Sequence, residues 1–201
     1  TASPVLTQNL YDYFQAEVSA LAVRLGRPVP PDAQIYLANL CSRFTSGESL
    51  FVESEGRREV EPLALMLRRA LEAEDETTRL NTLRHLGDVA LYTSGFLPER
   101  MERRGVDVGY FIDMGGMAYA EVSSLAARSG ARRSMKDLFQ SLAKHFRDLV
   151  HMLWEVVDRA PATSAMSLLD LYSNWQRTGS ERLERRLVRS GFVLGGKSLT
   201  C

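Results

Sequence analysis

Apolar positions recur every three or four residues along most of the chain, which is the spacing of amphipathic α-helices. Glycine and proline residues interrupt the pattern and mark where the helices stop and start. The pattern predicts an all-α, single-domain bundle of about seven to nine helices over residues 1–190. The predicted helices cover residues 5–25, 31–46, 62–71, 77–94, 99–104, 107–128, 134–159, 167–177 and 180–189.

The segment over 134–159 has the widest apolar face of all these helices. Its apolar residues cover an arc of roughly 200°, about twice the stripe of a helix that lies at a protein surface. We therefore expect it to be the long central helix of the bundle. His145 and His151 lie six residues apart in this segment and point about 120° away from each other, so they predict no metal site.

Two segments do not follow the helical pattern. The stretch over 48–60 combines an apolar triplet with polar residues and a glycine, which predicts an irregular segment or a short β-structure. The C-terminal stretch over 191–201 contains Gly195 and Gly196 and predicts a flexible tail.

Composition indicates an ordinary globular protein. The chain has 201 residues, 45% of them hydrophobic, with 25 basic and 25 acidic groups. A chain of this length buries roughly 70% of its unfolded surface in one domain. It holds two cysteines, no apolar stretch of membrane-span length and no secretory leader, so we expect a cytoplasmic protein. Arginine outnumbers lysine by 22 to 3, which we interpret as the coding bias of a GC-rich bacterial genome.

Four polar residues share one face of the helix predicted over 77–94. Arg84, His85, Asp88 and Tyr92 fall within about 100° of arc on a helical wheel. An imidazole beside a carboxylate, a guanidinium and a phenol suits proton transfer or the binding of an anion. The alternative interpretation is a solvated polar face opposite the apolar stripe.

Two adjacent glycines stand inside the helix predicted over 107–128. Glycine in a helix costs about 1 kcal/mol relative to alanine, so Gly115 and Gly116 require a reason. One reason is the close approach of another helix, and the other is room for a ligand, bordered by Tyr110, Asp113 and Tyr119. The candidate ligand-binding residues of the two helices are Arg84, His85, Asp88, Tyr92, Tyr110, Asp113 and Tyr119.

The last predicted helix carries its arginines on one side. Residues 128–201 hold 13 basic and 7 acidic groups, against 12 and 18 in residues 1–127. This imbalance favours docking of the C-terminal helices on the others, or a basic surface for an acidic partner. Nucleic-acid binding is disfavoured because no aromatic residues interleave with these arginines. The candidate partner-binding residues are Arg182, Arg185, Arg186 and Arg189.

The chain contains no phosphate-binding loop, dinucleotide fingerprint, nucleophile elbow, zinc-protease motif or Cys-x-x-Cys pair. We therefore expect no catalytic residues, metal or cofactor, and a non-catalytic helical protein with a regulatory or interaction role. It would bind a partner protein, a second copy of itself or a small ligand through an apolar groove. Two alternatives stay open: an all-α cofactor or metal enzyme, haem-oxygenase-like or ferritin-like, using His85 or His145, and a nucleic-acid binder using the C-terminal arginines.

Overall fold

The computed structural model of the chain describes residues 4–24, 26, 29–45, 52–54, 57–96, 98, 105, 107–130, 132–159, 175 and 179–189. These ranges contain eight α-helices and one antiparallel hairpin of two strands, β1 (Val52–Ser54) and β2 (Arg57–Glu59). The helices are α1 (Pro4–Arg24), α2 (Pro31–Thr45), α3 (Leu63–Glu72), α4 (Glu76–Phe96), α5 (Val108–Arg128), α6 (Arg133–Lys144), α7 (Phe146–Arg159) and α8 (Glu181–Arg189).

The prediction of an all-α, multi-helix bundle is confirmed, and the hairpin lies in the stretch that the sequence marks as irregular or β. No helix within the described ranges has both the length and the apolar character that crossing a membrane requires. The predicted helix over 99–104, most of the one over 167–177 and the tail over 191–201 lie outside the described residues.

The chain divides into two compact units, Thr1–Trp154 and Glu155–Cys201. In the first unit α1 packs on α2, α4 packs between α3 and α5, and α6 packs on α5. α2 also contacts α4 and α6, which closes the bundle around α4 and α5. The single domain expected over residues 1–190 stays a prediction.

The helical run predicted over 134–159 consists of two successive helices, α6 and α7, that meet at His145. The backbone of His145 departs from helical geometry, with φ −101° and ψ 13°. Hydrogen bonds nevertheless span the junction, from the Leu149 amide to the His145 carbonyl (2.9 Å) and from the His145 amide to the Ser141 carbonyl (3.0 Å). The wide apolar face is buried, each residue at most 2% exposed: Phe139, Leu142, Phe146, Leu149, Val150, Met152, Leu153 and Val156.

α4 is buried on every side in its C-terminal half. All ten residues over 86–95 are buried, including the polar side chains of Asp88 and Tyr92. The sequence-based alternative of a solvated face is therefore wrong for these two residues, which are 3% and 7% exposed. It fails because α2 and α5 cover the face that a helical wheel leaves for solvent.

Of the two adjacent glycines of α5, Gly115 makes room for neighbouring side chains and Gly116 does not. A Cβ atom on Gly115 would collide with the Phe146 ring of α7 and lie 2.8 Å from Cβ of Ala90 on α4. A Cβ atom on Gly116 would meet nothing closer than Cβ of Phe146, at 3.8 Å. Close approach of other helices thus explains Gly115 and not Gly116.

The two glycines form a matched pair for a stability measurement. We expect Gly115→Ala to lower the free energy of unfolding, because overpacking a core costs about 1–3 kcal/mol. We expect Gly116→Ala to raise it by up to about 1 kcal/mol through helix propensity alone. Urea unfolding of both variants checks this, and equal effects at the two positions would contradict the packing of Phe146 on Gly115.

Candidate functional site

Asp88 is the centre of a buried polar network that joins three helices. Its Oδ1 accepts hydrogen bonds from the hydroxyls of Tyr36 on α2 (2.6 Å) and Tyr119 on α5 (2.7 Å). Its Oδ2 accepts one from Nη2 of Arg43 on α2 (3.2 Å). Arg84, one turn before Asp88 on α4, donates from Nε to the Tyr36 hydroxyl (3.1 Å). We call these five residues the Asp88 network.

Helical spacing places these side chains together. Tyr36 and Arg43 lie seven residues apart on α2, and Arg84 and Asp88 lie four apart on α4, so each pair shares one face of its helix. Tyr119 reaches Asp88 because α4 has a glycine beside it: a Cβ atom on Gly87 would lie 2.5 Å from two carbons of the Tyr119 ring. The absence of that Cβ lets the ring lie directly on α4.

The Asp88 network runs from the core to the surface. Asp88 and Tyr119 are 3% and 0% exposed, whereas Tyr36 and Arg84 are half-buried and Arg43 is exposed. The Arg84 guanidinium lies over the rings of Tyr36 (5.4 Å to the centroid) and Phe139 (5.9 Å). The half-buried side chain of Arg84 is therefore held by a phenol oxygen and lies beside two aromatic rings.

Burial and the carboxylate make both phenols harder to ionise. Burial is the larger cause, and the negative charge of Asp88 the next, of the raised pKa of Tyr36 and of Tyr119. Burial opposes the charge on Arg84, but the Tyr36 oxygen and Asp88 more than offset it and raise the pKa of Arg84. Asp88 is buried and both of its oxygens accept hydrogen bonds, so the carboxylate holds its neighbours in position.

Two other predicted residues of α4 lie beside the network and not in it. His85 meets the ring of Phe44 edge to face (6.3 Å between centroids). Burial lowers the pKa of His85, against the opposing effect of Asp88. Tyr92 stacks on Phe96 (4.5 Å) and also packs against Phe44 (5.3 Å). Both side chains therefore pack against Phe44 of α2.

Tyr110 and Asp113 lie apart from the Asp88 network. The Tyr110 side chain is 40% exposed, and its ring contacts that of Phe111. The Asp113 side chain is 77% exposed, with Arg147 at 3.9 Å. Of the seven candidate ligand-binding residues, the structure brings together Arg84, Asp88 and Tyr119.

Sequence reasoning missed Tyr36 and Arg43. Both are on α2, where a tyrosine and an arginine at a spacing of seven are common on an ordinary surface face. Nothing local to α2 indicates that this face meets a buried carboxylate 45 or more residues away. One local signal for Asp88 does exist. It follows Gly87 directly within a long apolar stretch, which indicates a buried position.

The four candidate arginines of α8 do not form one uniform basic face. Arg182 donates from Nε to Oδ1 of Asp158 on α7 (3.0 Å), and the two side chains are only 14% and 11% exposed. Burial raises the pKa of Asp158, which Arg182, Arg186 and Arg185 counteract. Arg185 is exposed and Arg186 half-buried, while the side chain of Arg189 lies outside the described residues.

A second surface feature is an apolar groove between α3, α4 and α5, with a volume of about 500 Å³. We call it the α3–α5 groove. Leu71 and Met117 on its two sides are 61% and 59% exposed. It is lined by Leu67, Leu71, Arg79, Leu83, Leu86, Met114, Met117, Ala118, Ala120 and Glu121.

The fold and these two features define a class, an all-α bundle with a buried carboxylate network and an apolar surface groove. No group of three or more His, Cys, Asp or Glu side chains in the described part of the chain is arranged to hold a metal ion. No family model, curated protein or solved structure matches this chain.

Removal of the central carboxylate tests how far the bundle depends on it. We expect Asp88→Ala to lower the free energy of unfolding by about 3 kcal/mol, because two phenols and a guanidinium lose their acceptor. The exposed Asp113→Ala is the matched control, with an expected change within about 0.5 kcal/mol. Urea unfolding measures both, and equal losses would contradict a central role for Asp88.

The raised pKa values of Tyr36 and Tyr119 predict lower stability in alkali. In the unfolded chain both phenols ionise near the ordinary value of 10.0, and in the folded chain only at higher pH. Their contribution to stability is therefore full below about pH 10 and is lost above it. Cys41 contributes in the same direction from about 9.0, because burial raises its pKa. We expect Tyr119→Phe to reduce the decline of unfolding free energy between about pH 10 and 11. An unchanged decline would contradict the burial of this phenol.

Proposed function

We propose that this protein is a non-catalytic binding protein that receives an amphipathic helix of a partner protein in the α3–α5 groove. The observation that carries the proposal is the exposure of Leu71 and Met117 on opposite sides of an apolar channel. Apolar surface that lines a groove is typical of helix-binding sites. Methionine side chains adapt to the shape of a bound apolar residue, and Met114 and Met117 both line the channel.

The length of the groove suits two turns of a helix. Its lining extends from Leu67 to Leu71 on α3 and from Met114 to Glu121 on α5, with Leu83 and Leu86 of α4 at the floor. Seven helical residues span about 10 Å, so a bound helix would insert apolar side chains at positions i, i+3 or i+4, and i+7.

The groove ends in a polar pair. Arg79 and Glu121 line this end, and Nη2 of Arg79 lies 3.8 Å from Oε1 of Glu121. Nε of Arg79 is buried and has no hydrogen-bond partner among the described residues. Because this atom is buried and the guanidinium already pairs with Glu121, a bound helix would be held by the apolar channel.

Shape favours a separate partner over a second copy, and a helix over a small ligand. A two-fold dimer joins the same surface of both copies, and two concave grooves placed face to face leave an empty space. Small-ligand sites carry several convergent polar groups. Here the polar lining is Arg79 and Glu121, which pair with each other.

A library of amphipathic helical peptides selected against the protein tests the proposal. We expect selected peptides to shift the methyl resonances of Met114 and Met117, and to lose about tenfold or more in affinity to Leu71→Glu or Met117→Glu. Both side chains are more than half exposed in the free protein, so these variants should remain folded. Ile35→Glu, at a 43% exposed position of α2, is the control and should bind as the parent does.

Three results would overturn the proposal. The first is selection of no helical peptide, or of peptides that bind Leu71→Glu and Met117→Glu like the parent. The second is a homodimer in native mass spectrometry that dissociates in Leu71→Glu, which would assign the groove to a second copy. The third is a strictly monomeric protein that takes no helix and turns over a substrate.

A further inference from the structure

Arg84 presents a fixed guanidinium on the side of α4 that lies roughly opposite the α3–α5 groove. At about 100° per residue, Arg84 and Asp88 face away from Arg79, Leu83 and Leu86, which line the groove. The inference drawn from Arg84 is therefore independent of the helix-binding proposal.

The contacts of Arg84 fix its orientation and leave its outer end unused. Nε donates to the Tyr36 hydroxyl, and the guanidinium carbon lies 5.4 Å and 5.9 Å from the ring centroids of Tyr36 and Phe139. Within the described ranges Arg84 has no Asp or Glu partner in an ion pair and no second hydrogen bond. The two terminal amino groups form the fork that binds a carboxylate through two parallel hydrogen bonds.

The Asp88 network carries one more positive than negative charge. Arg43 pairs with Asp88, and the phenols of Tyr36 and Tyr119 are neutral at neutral pH, since a phenol ionises only near 10.0 and burial raises their pKa further. Two guanidiniums thus share one carboxylate. A single negative charge completes the balance, whereas a doubly charged phosphate would place an excess negative charge near Asp88.

We propose that Arg84, supported by Arg43, forms a binding site for a small organic carboxylate. The carboxylate accepts two hydrogen bonds from the terminal amino groups of Arg84, and Arg43, 44% exposed at its side chain and paired with Asp88, adds positive charge to the network. Asp88 and Tyr36 are positioning residues, because they hold the guanidinium before the ligand arrives. The half-buried ring of Tyr36 beside Arg84 suits a ligand with an apolar body.

The experiment is a titration of the whole protein, labelled with ¹⁵N at arginine, with acetate and with benzoate at constant ionic strength. We expect a saturable shift of the Arg84 Nε–H resonance, with a dissociation constant on the order of 1 mM. Benzoate should bind more tightly than acetate. Inorganic phosphate should bind more weakly than either, as should a peptide that carries the carboxylate on a glutamate.

Variants separate binding from folding. Arg84→Lys keeps the charge and loses the fork, and we expect about tenfold weaker binding in a protein that still folds. Tyr36→Phe keeps the ring and loses the acceptor for Nε, and should weaken binding by a smaller factor. Arg68→Gln, at a side chain 66% exposed, is the control and should leave binding unchanged.

Each contrary outcome overturns a stated part of the proposal. A titration without saturation, or equal affinity in Arg84→Lys and the parent, removes the site. If phosphate binds more tightly than the carboxylates, the site does not prefer a single negative charge. If the acidic peptide binds and benzoate does not, the Arg84 guanidinium binds a side chain of another protein, and the proposal of a small ligand is wrong.

Discussion

The burial of one carboxylate constrains the arrangement of the first unit. Asp88 is 3% exposed, and a buried carboxylate is tolerated only when hydrogen-bond donors surround it. The donors come from α2 and α5, so the positions of both helices along α4 are fixed by the reach of Tyr36, Arg43 and Tyr119. Sliding either helix by one turn would move its donors by about 5.4 Å and leave Asp88 unsatisfied.

The glycines of α4 and α5 belong to the same constraint. Tyr119 reaches Asp88 because its ring lies on Gly87, and α5 approaches α4 closely because Gly115 stands against Ala90. Helix interfaces built only from leucine and valine tolerate a range of spacings, since such residues repack at low cost. Tyr119 must place its ring on Gly87 and its hydroxyl on Asp88 at the same time, and this fixes the spacing between α4 and α5. The interface is therefore specific as well as apolar.

Local patterns in the sequence predicted the helices and much less of the site. Helical periodicity and the flanking glycines place most element bounds within a few residues, as for α5, where Asp107 caps the helix by accepting from the Gly109 amide (2.8 Å). The helical wheel left a solvated face open as an interpretation for Asp88 and Tyr92, because it describes one helix without its neighbours. Tyr36 and Arg43 depend on a contact made across 45 or more residues, and no local pattern encodes it.

α4 separates the two proposed sites and also determines how they affect each other. Leu83 and Leu86 form the floor of the groove, while Arg84 and Asp88 lie on the other side of the same two turns. A helix in the groove would influence Arg84 only by moving α4, and coupling of this kind requires an element with two stable positions. The hydrogen bonds of Asp88 to α2 and α5 oppose such movement. The same network that holds Arg84 in place therefore favours two sites that act independently.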